Sequence, residues 1–142
     1  VTGALVDTGF LVALFRRNDR LRSAARDYLR EHTHGLATVS PVIVETCLFL
    51  DARGKSDLLE WVIRGAIAVV DVPVDAYPEI KASINKYADR DIDFADAALI
   101  WFAAMSGCRS ILTVDTRDFS ILRIKGNKRF EVVPWAGERK GR

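Results

Sequence analysis

Residues 87–107 read YADRDIDFADAALIWFAAMSG, and the fold turns on how this stretch is read. Acids stand at Asp89, Asp91, Asp93 and Asp96, and an almost uninterrupted apolar run follows. Phe94, Ala97, Ala98, Trp101, Ala104 and Met105 recur at the i, i+3, i+4, i+7 spacing of a helix buried along one face. Asp93 stands where a cap belongs and Gly107 where the helix should stop. Asp96 falls in the first turn, where the amide ends of a helix favour negative charge. Read locally, Asp93 and Asp96 need do no more than cap a helix. A chemical role requires carboxylates from elsewhere in the chain to meet them, and three qualify.

Upstream, residues 4–6 (ALV) form a short buried strand closed by Asp7, with Asp7 or Thr8 capping a helix over 9–15. A helix over 20–31 follows, with Leu21, Ala24, Ala25, Tyr28 and Leu29 on its inner face. Arg22, Arg26 and Arg30 share another face, which reads either as a plain solvated surface or, with Arg16 and Arg17, as one that attracts phosphate. Residues 36–39 are a second strand. Ser40 and Pro41 then open a helix, as N-cap and N1 proline, that runs into VIVETCLFL. Glu45 is the sole charge across those nine positions, on a face with Val42, Leu48 and Phe49. A carboxylate there must reach solvent, pair with a cation or bind a metal.

Gly54 is expected to end that helix and Ser56 to cap the next, through Trp61 and Ile63. Residues 66–72 read as a third strand, and Asp75 as the cap of a helix over 76–87. A fourth strand over 110–114 ends in Asp115, with Asp118 and Phe119 in a short turn. Residues 130–133 make a last, edge strand before Pro134. Strands alternating with helices predict an α/β fold with a largely parallel sheet.

At 142 residues the chain suits one domain, expected over 1–136, with a basic, mobile tail at 137–142. With 49% hydrophobic and 28% charged residues it is neither disordered nor fibrous. A formal net charge of +2 is too mild to identify a nucleic-acid binder and does not oppose one. Cys47 and Cys108 read as free thiols in a reducing compartment. No apolar run approaches the ~18 residues a membrane span needs, and Asp7 interrupts any signal peptide, so a cytoplasmic location is expected.

Two acids therefore close strands, Asp7 and Asp115. Glu45 lies inside an apolar helix, and Asp96 in the first turn of another. In a parallel sheet the strand C-termini share one edge, and helix starts lie there too. Four carboxylates on one edge stay ionised together only with cations among them. An oxygen-only set selects a hard ion, Mg²⁺ or Mn²⁺, while His32 and His34 at a helix end make a poor zinc site. Such a cage suits attack by water on a phosphodiester.

These blocks resemble the PIN-domain nucleases, specifically the bacterial VapC-type ribonuclease toxins. LVDTGFLVALF is similar to the family's opening strand–acid–helix, and SPVIVETCLFL to its Ser-Pro helix with a buried glutamate. YADRDIDFADAALIWFA resembles the third block, ILTVDTRDFSIL the fourth, and FEVVP the closing strand. The resemblance implies a three-layer fold with a mainly parallel sheet of about five strands between helices. It implies that Asp7, Glu45, Asp96 and Asp115 bind one or two Mg²⁺ or Mn²⁺ ions, with Asp93 as a further ligand and Asp118 as a weaker candidate. Thr8, Thr113 and Ser40 would orient the acids. Metal-activated water would cut RNA to leave a 5′-phosphate and a 3′-hydroxyl. A cognate antitoxin and a homodimer are implied partners. Arg16, Arg17, Lys125, Lys128 and Arg129 are candidates for an RNA-binding rim.

Rival readings remain open at this point. A PIN-like module that binds RNA or protein without catalysis has no reason to keep buried carboxylates unpaired. A PIN nuclease of RNA maturation shares the same acids. A receiver domain would want an acid pair after the first strand, and a dehalogenase-type phosphatase an Asp where Gly9 stands.

Overall fold

The computed structural model describes residues 3–136, so the expected basic tail at 137–142 lies outside the described residues. The chain opens with β1 (Ala4–Val6), α1 (Thr8–Phe15), α2 (Arg22–Glu31), β2 (Leu36–Val39), α3 (Ser40–Cys47), α4 (Ala52–Ile63) and β3 (Ala68–Val70). A 3₁₀ turn over Val74–Ala76 leads into α5 (Tyr77–Lys86) and α6 (Phe94–Ser106). Then come β4 (Ser110–Leu112), α7 (Thr116–Ile121), a hairpin of β5 (Arg123–Ile124) and β6 (Lys128–Arg129), and β7 (Glu131–Val132).

The five-stranded sheet has the order β3-β2-β1-β4-β7, and every neighbouring pair is parallel. From β1 the chain steps outward to β2 and β3, then returns to the other side of β1 with β4. The strand order therefore reverses between β1 and β4, and their carboxyl ends mark the switch point at which open α/β sheets bind ligands. Asp7 and Asp115 follow those two strands. In register, Val6 stands opposite Leu112, and Asp7 N–H donates to Leu112 O at 2.9 Å.

Leu5, Val6, Ile111 and Leu112 are fully buried between the flanking helices, with Phe10, Leu11, Leu58, Leu99 and Phe119 packed over them. Helix α6 starts and stops where its sequence demands. The Asp93 carboxylate accepts from Asp96 N–H, and Gly107 ends the helix at φ 74°, where its N–H reaches Ala103 O. Its burial departs from the one-faced reading. Ala95, Leu99, Ile100 and Ala103 are buried along with Ala97, Ala98 and Trp101, whereas Met105 is 68% exposed and Phe94 lies on the surface against Tyr77. The cause is contact on several sides, since α6 packs against α3, α5, β2 and β5.

Other boundaries also move. Ser40 is the first residue of α3 rather than its cap, which is Val39. Gly54 does not end a helix. It lies inside α4, which Asp51 caps and in which Ser56 is an interior residue, and glycine stands at 54 because a Cβ there would be 2.9 Å from Phe15 O. Asp75 sits within the 3₁₀ turn, and Asp118 and Phe119 belong to α7. Arg22 donates to Leu14 O at 3.0 Å and Arg30 pairs with Asp27, so two of the three arginines on that face of α2 serve local structure. Cys47 and Cys108 are free. Among the described residues, no helix is long and apolar enough to cross a membrane.

Candidate active site

Asp7 is the best-anchored acid. It caps α1, its Oδ1 accepting from Thr8 N–H at 2.8 Å, while its Oδ2 accepts from the Thr113 hydroxyl at 2.8 Å. It is 6% exposed. Burial pushes its carboxyl up to about 6, with the charges of Asp93 and Asp115 adding to the rise and the two hydrogen bonds opposing it. The Thr113 hydroxyl also accepts from Asp115 N–H at 2.9 Å, so one side chain joins the two strand-end acids. The indole of Trp135 donates to Thr113 O at 3.0 Å and fixes that residue from behind.

Helix α3 brings Glu45 to the first residue of α1, where it accepts from the Thr8 hydroxyl. Its carboxyl is raised by burial first, then by Asp93 and Asp7 close by. Asp96 is raised by burial first, then by Asp7, Asp93 and Glu45. Asp93 and Asp96 form a reciprocal capping box, with Asp96 N–H donating to Asp93 at 2.9 Å and Asp93 N–H to Asp96 at 3.4 Å. Asp115 caps α7 and accepts from Asp118 N–H at 3.4 Å. Burial raises Asp115, as does Asp118 beside it, while Arg90 lowers it.

The structure thus gathers Asp7, Glu45, Asp93, Asp96 and Asp115 at one sheet edge, with Asp118 behind Asp115. Each of the first five feels the charge of at least one other or contributes its own. Among the described residues, no group of three or more acidic, histidine or cysteine side chains is arranged to hold a metal ion. Thr8 and Thr113 touch the acids as hydroxyl donors. Ser40 is half-buried at the start of α3 and makes no hydrogen bond to an acid among the described residues. An acid at position 9 has no room, because a side chain there would run into Val114.

Of the candidate basic rim, Lys125 and Lys128 line a cavity with Ala103, Gly107 and Arg109, at the end of α6 away from the acids. Arg129 is exposed in β6. Arg16 and Arg17 follow α1 and line a hollow with Arg20 and Phe49. His32 and His34 sit at the opposite edge of the sheet, packed with Tyr28, whose hydroxyl pairs with His34 Nε2 at 2.7 Å. Sequence reading overlooked Arg90, which pairs with Asp118 at 3.3 Å. No local pattern marks it, because the pairing depends on the loop before α6 meeting α7.

A parallel sheet with carboxylates at its switch point, supplied by two strand ends and two helices, defines the class. A match to the PIN domain family covers residues 4–125, and the chain belongs to that family. It is similar to Ribonuclease VapC26 of Mycobacterium tuberculosis, at 29% identity over 134 residues, 92% of this chain and 99% of the relative. Its fold is similar to the crystal structure of M. tuberculosis VapC20, described as a Sarcin-Ricin loop cleaving toxin. That similarity has a TM-score of 0.73 and 19% identity, and covers 81% of this chain and 93% of the other.

Proposed function

We propose that the chain is an endoribonuclease toxin of the VapC type, which hydrolyses RNA phosphodiesters at the edge built by Asp7, Glu45, Asp96 and Asp115. The observation that carries this reading is electrostatic. Three carboxyls from three different elements are raised by burial first and by neighbouring carboxylates, Asp93 in every case, an arrangement that weakens the fold unless a cation offsets it. The donor set fits one or two hard divalent ions, Mg²⁺ or Mn²⁺, since every candidate ligand is a carboxylate oxygen. Asp7, Glu45, Asp96 and Asp115 would hold them, with Asp93 as a further ligand. Such an ion, when bound, makes water a nucleophile near neutral pH and offsets charge building on the phosphate.

The protein's own part is to fix the acids in advance. Thr113 aligns Asp7 and the Asp115 backbone, and Thr8 turns Glu45 toward the same space. Water carries out the attack, with no covalent enzyme intermediate, leaving a 5′-phosphate and a 3′-hydroxyl. Similarity to Ribonuclease VapC26 supports RNA as substrate and a cognate antitoxin as partner.

The test is to induce the parent chain and Asp7→Ala in bacteria and sequence total RNA for new 5′ ends. Growth arrest with discrete cuts from the parent alone is the expected result. Equal growth without new ends, from protein shown to be soluble, would overturn the reading in favour of a binding module.

A further inference from the structure

Arg90 is a cation at the acid edge, and the metal-site reading above gives it no task. It lies in the loop between α5 and α6, and that loop is braced on both sides. Tyr87 is buried, and its hydroxyl accepts from Arg123 N–H at 2.8 Å. Ile92 is buried as well. Between them the chain turns tightly. Arg90 N–H and Asp91 N–H both reach Tyr87 O, and Asp91 takes a left-handed φ of 54°, uncommon outside glycine. A loop held this way delivers Arg90 to a fixed place. Its guanidinium meets Asp118 at 3.3 Å, with side-chain exposures of 25% and 33%, well below those of the helix-surface ion pairs. Its Nε is buried with no hydrogen-bond partner. The polar contact that Arg90 makes with Asp118 therefore runs through a terminal nitrogen alone.

Asp118 matters because of what it stands beside. Its backbone N–H donates to Asp115 Oδ1 at 3.4 Å, and its carboxylate stands near enough for its charge to raise the Asp115 carboxyl. Two carboxylates this close compete for the same cation and repel each other. We propose that Arg90 is a positioning residue that takes Asp118 out of the ligand set through their ion pair and leaves Asp115 to face the acids of β1 and α6. Arginine suits the task, since its guanidinium keeps its charge throughout the working pH range. This inference rests on the metal-binding role of Asp115.

Mn²⁺ binding to the purified chain, measured by titration calorimetry, tests it without reference to cleavage. Arg90→Gln should weaken Mn²⁺ by about tenfold or more, the usual cost of losing a group that orients a ligand. Asp118→Asn alone should leave affinity within about twofold of the parent, and Arg90→Gln with Asp118→Asn should recover most of the loss, because the competing carboxylate is gone. Circular dichroism should report folded protein for all three. Undiminished affinity in Arg90→Gln, or a double variant as weak as the single, overturns the proposal. Absence of Mn²⁺ binding by the parent overturns the metal reading and this role with it, a result distinct from either.

Discussion

Asp7→Asn should make the metal-free protein more stable at pH 8 and no more stable at pH 4. The Asp7 carboxyl is raised from 3.8 to about 6, so the folded state holds its proton more tightly than the unfolded chain does. A raised folded-state pKa means stability is fully present below about pH 4 and is lost as pH rises through about 6. The shift is about 2 units, and at 1.36 kcal/mol per unit the ionised group costs about 3 kcal/mol above pH 7. Asparagine keeps the shape and the acceptor for Thr8 N–H, but its amide faces the Thr113 hydroxyl, which now donates to Asp7 Oδ2. Reversing that bond costs about 1 kcal/mol, which leaves a net gain of about 2 kcal/mol at pH 8. Urea titration in EDTA from pH 4 to 8, followed by tryptophan fluorescence, reads the difference, and Trp135 reports from beside the site. Adding Mg²⁺ should stabilise the parent and shrink the gap, since ligand binding favours the form that keeps its carboxylates. Parallel pH profiles for parent and variant, or a variant less stable at pH 8 in EDTA, would falsify the idea that burial and crowding dominate this carboxyl.

Asp96→Asn should reduce RNA cleavage to background while leaving the circular dichroism spectrum unchanged, because an amide oxygen still serves the Asp93 N–H bond of the capping box; residual cleavage at the parent rate would remove Asp96 from the site. Glu45→Gln should raise the melting temperature in EDTA at pH 8, since it removes a carboxyl held up by burial and by Asp93 and Asp7; a lower melting temperature than the parent would count against crowding at this edge. Gly54→Ala should destabilise the fold by about 1–3 kcal/mol, because the added methyl meets the rigid carbonyl of Phe15; an unchanged urea midpoint would show that α4 can shift away from α1.

The sequence made the strand-end acids visible because each follows a short apolar run and sits where a helix must be capped. Asp93 and Gly107 were legible for the same local reason. What local pattern could not supply is how many sides of an element are covered. The residues of α6 satisfy a one-faced periodicity and equally a helix enclosed by four neighbours, and only packing separates the two. Gly54 resembles a helix stop until the close approach of α1 gives it another purpose. The β5–β6 hairpin did carry a signal. Gly126 and Asn127 take left-handed φ of 85° and 61° in the three-residue loop between Ile124 and Lys128, and that glycine and asparagine could have announced the turn. Arg90 carried none, because its meaning lies in a contact across 28 positions of sequence, from the loop before α6 to Asp118.

Capping and chemistry are not competing explanations for these acids, and the direction of the carboxyl shifts decides between an ordinary cap and something more. Asp7, Asp93 and Asp115 each cap a helix by accepting from a backbone N–H, and the same bonds fix where their carboxylates stand. A cap that does nothing else sits in water, and its hydrogen bonds to amides favour the charged form. At Asp7 the amide and hydroxyl bonds do pull in that direction, yet burial and neighbouring charge prevail. Asp96 follows the same rule, its bond to Asp93 N–H outweighed by burial and by three carboxylates. Helix capping alone gives no reason to bury these groups or to bring Glu45 in from α3. A chain that caps its helices with acids, then crowds those acids until they resist ionisation, concentrates uncompensated negative charge at one edge of its sheet, and on the proposed function a divalent cation is the partner whose charge and oxygen preference would match it.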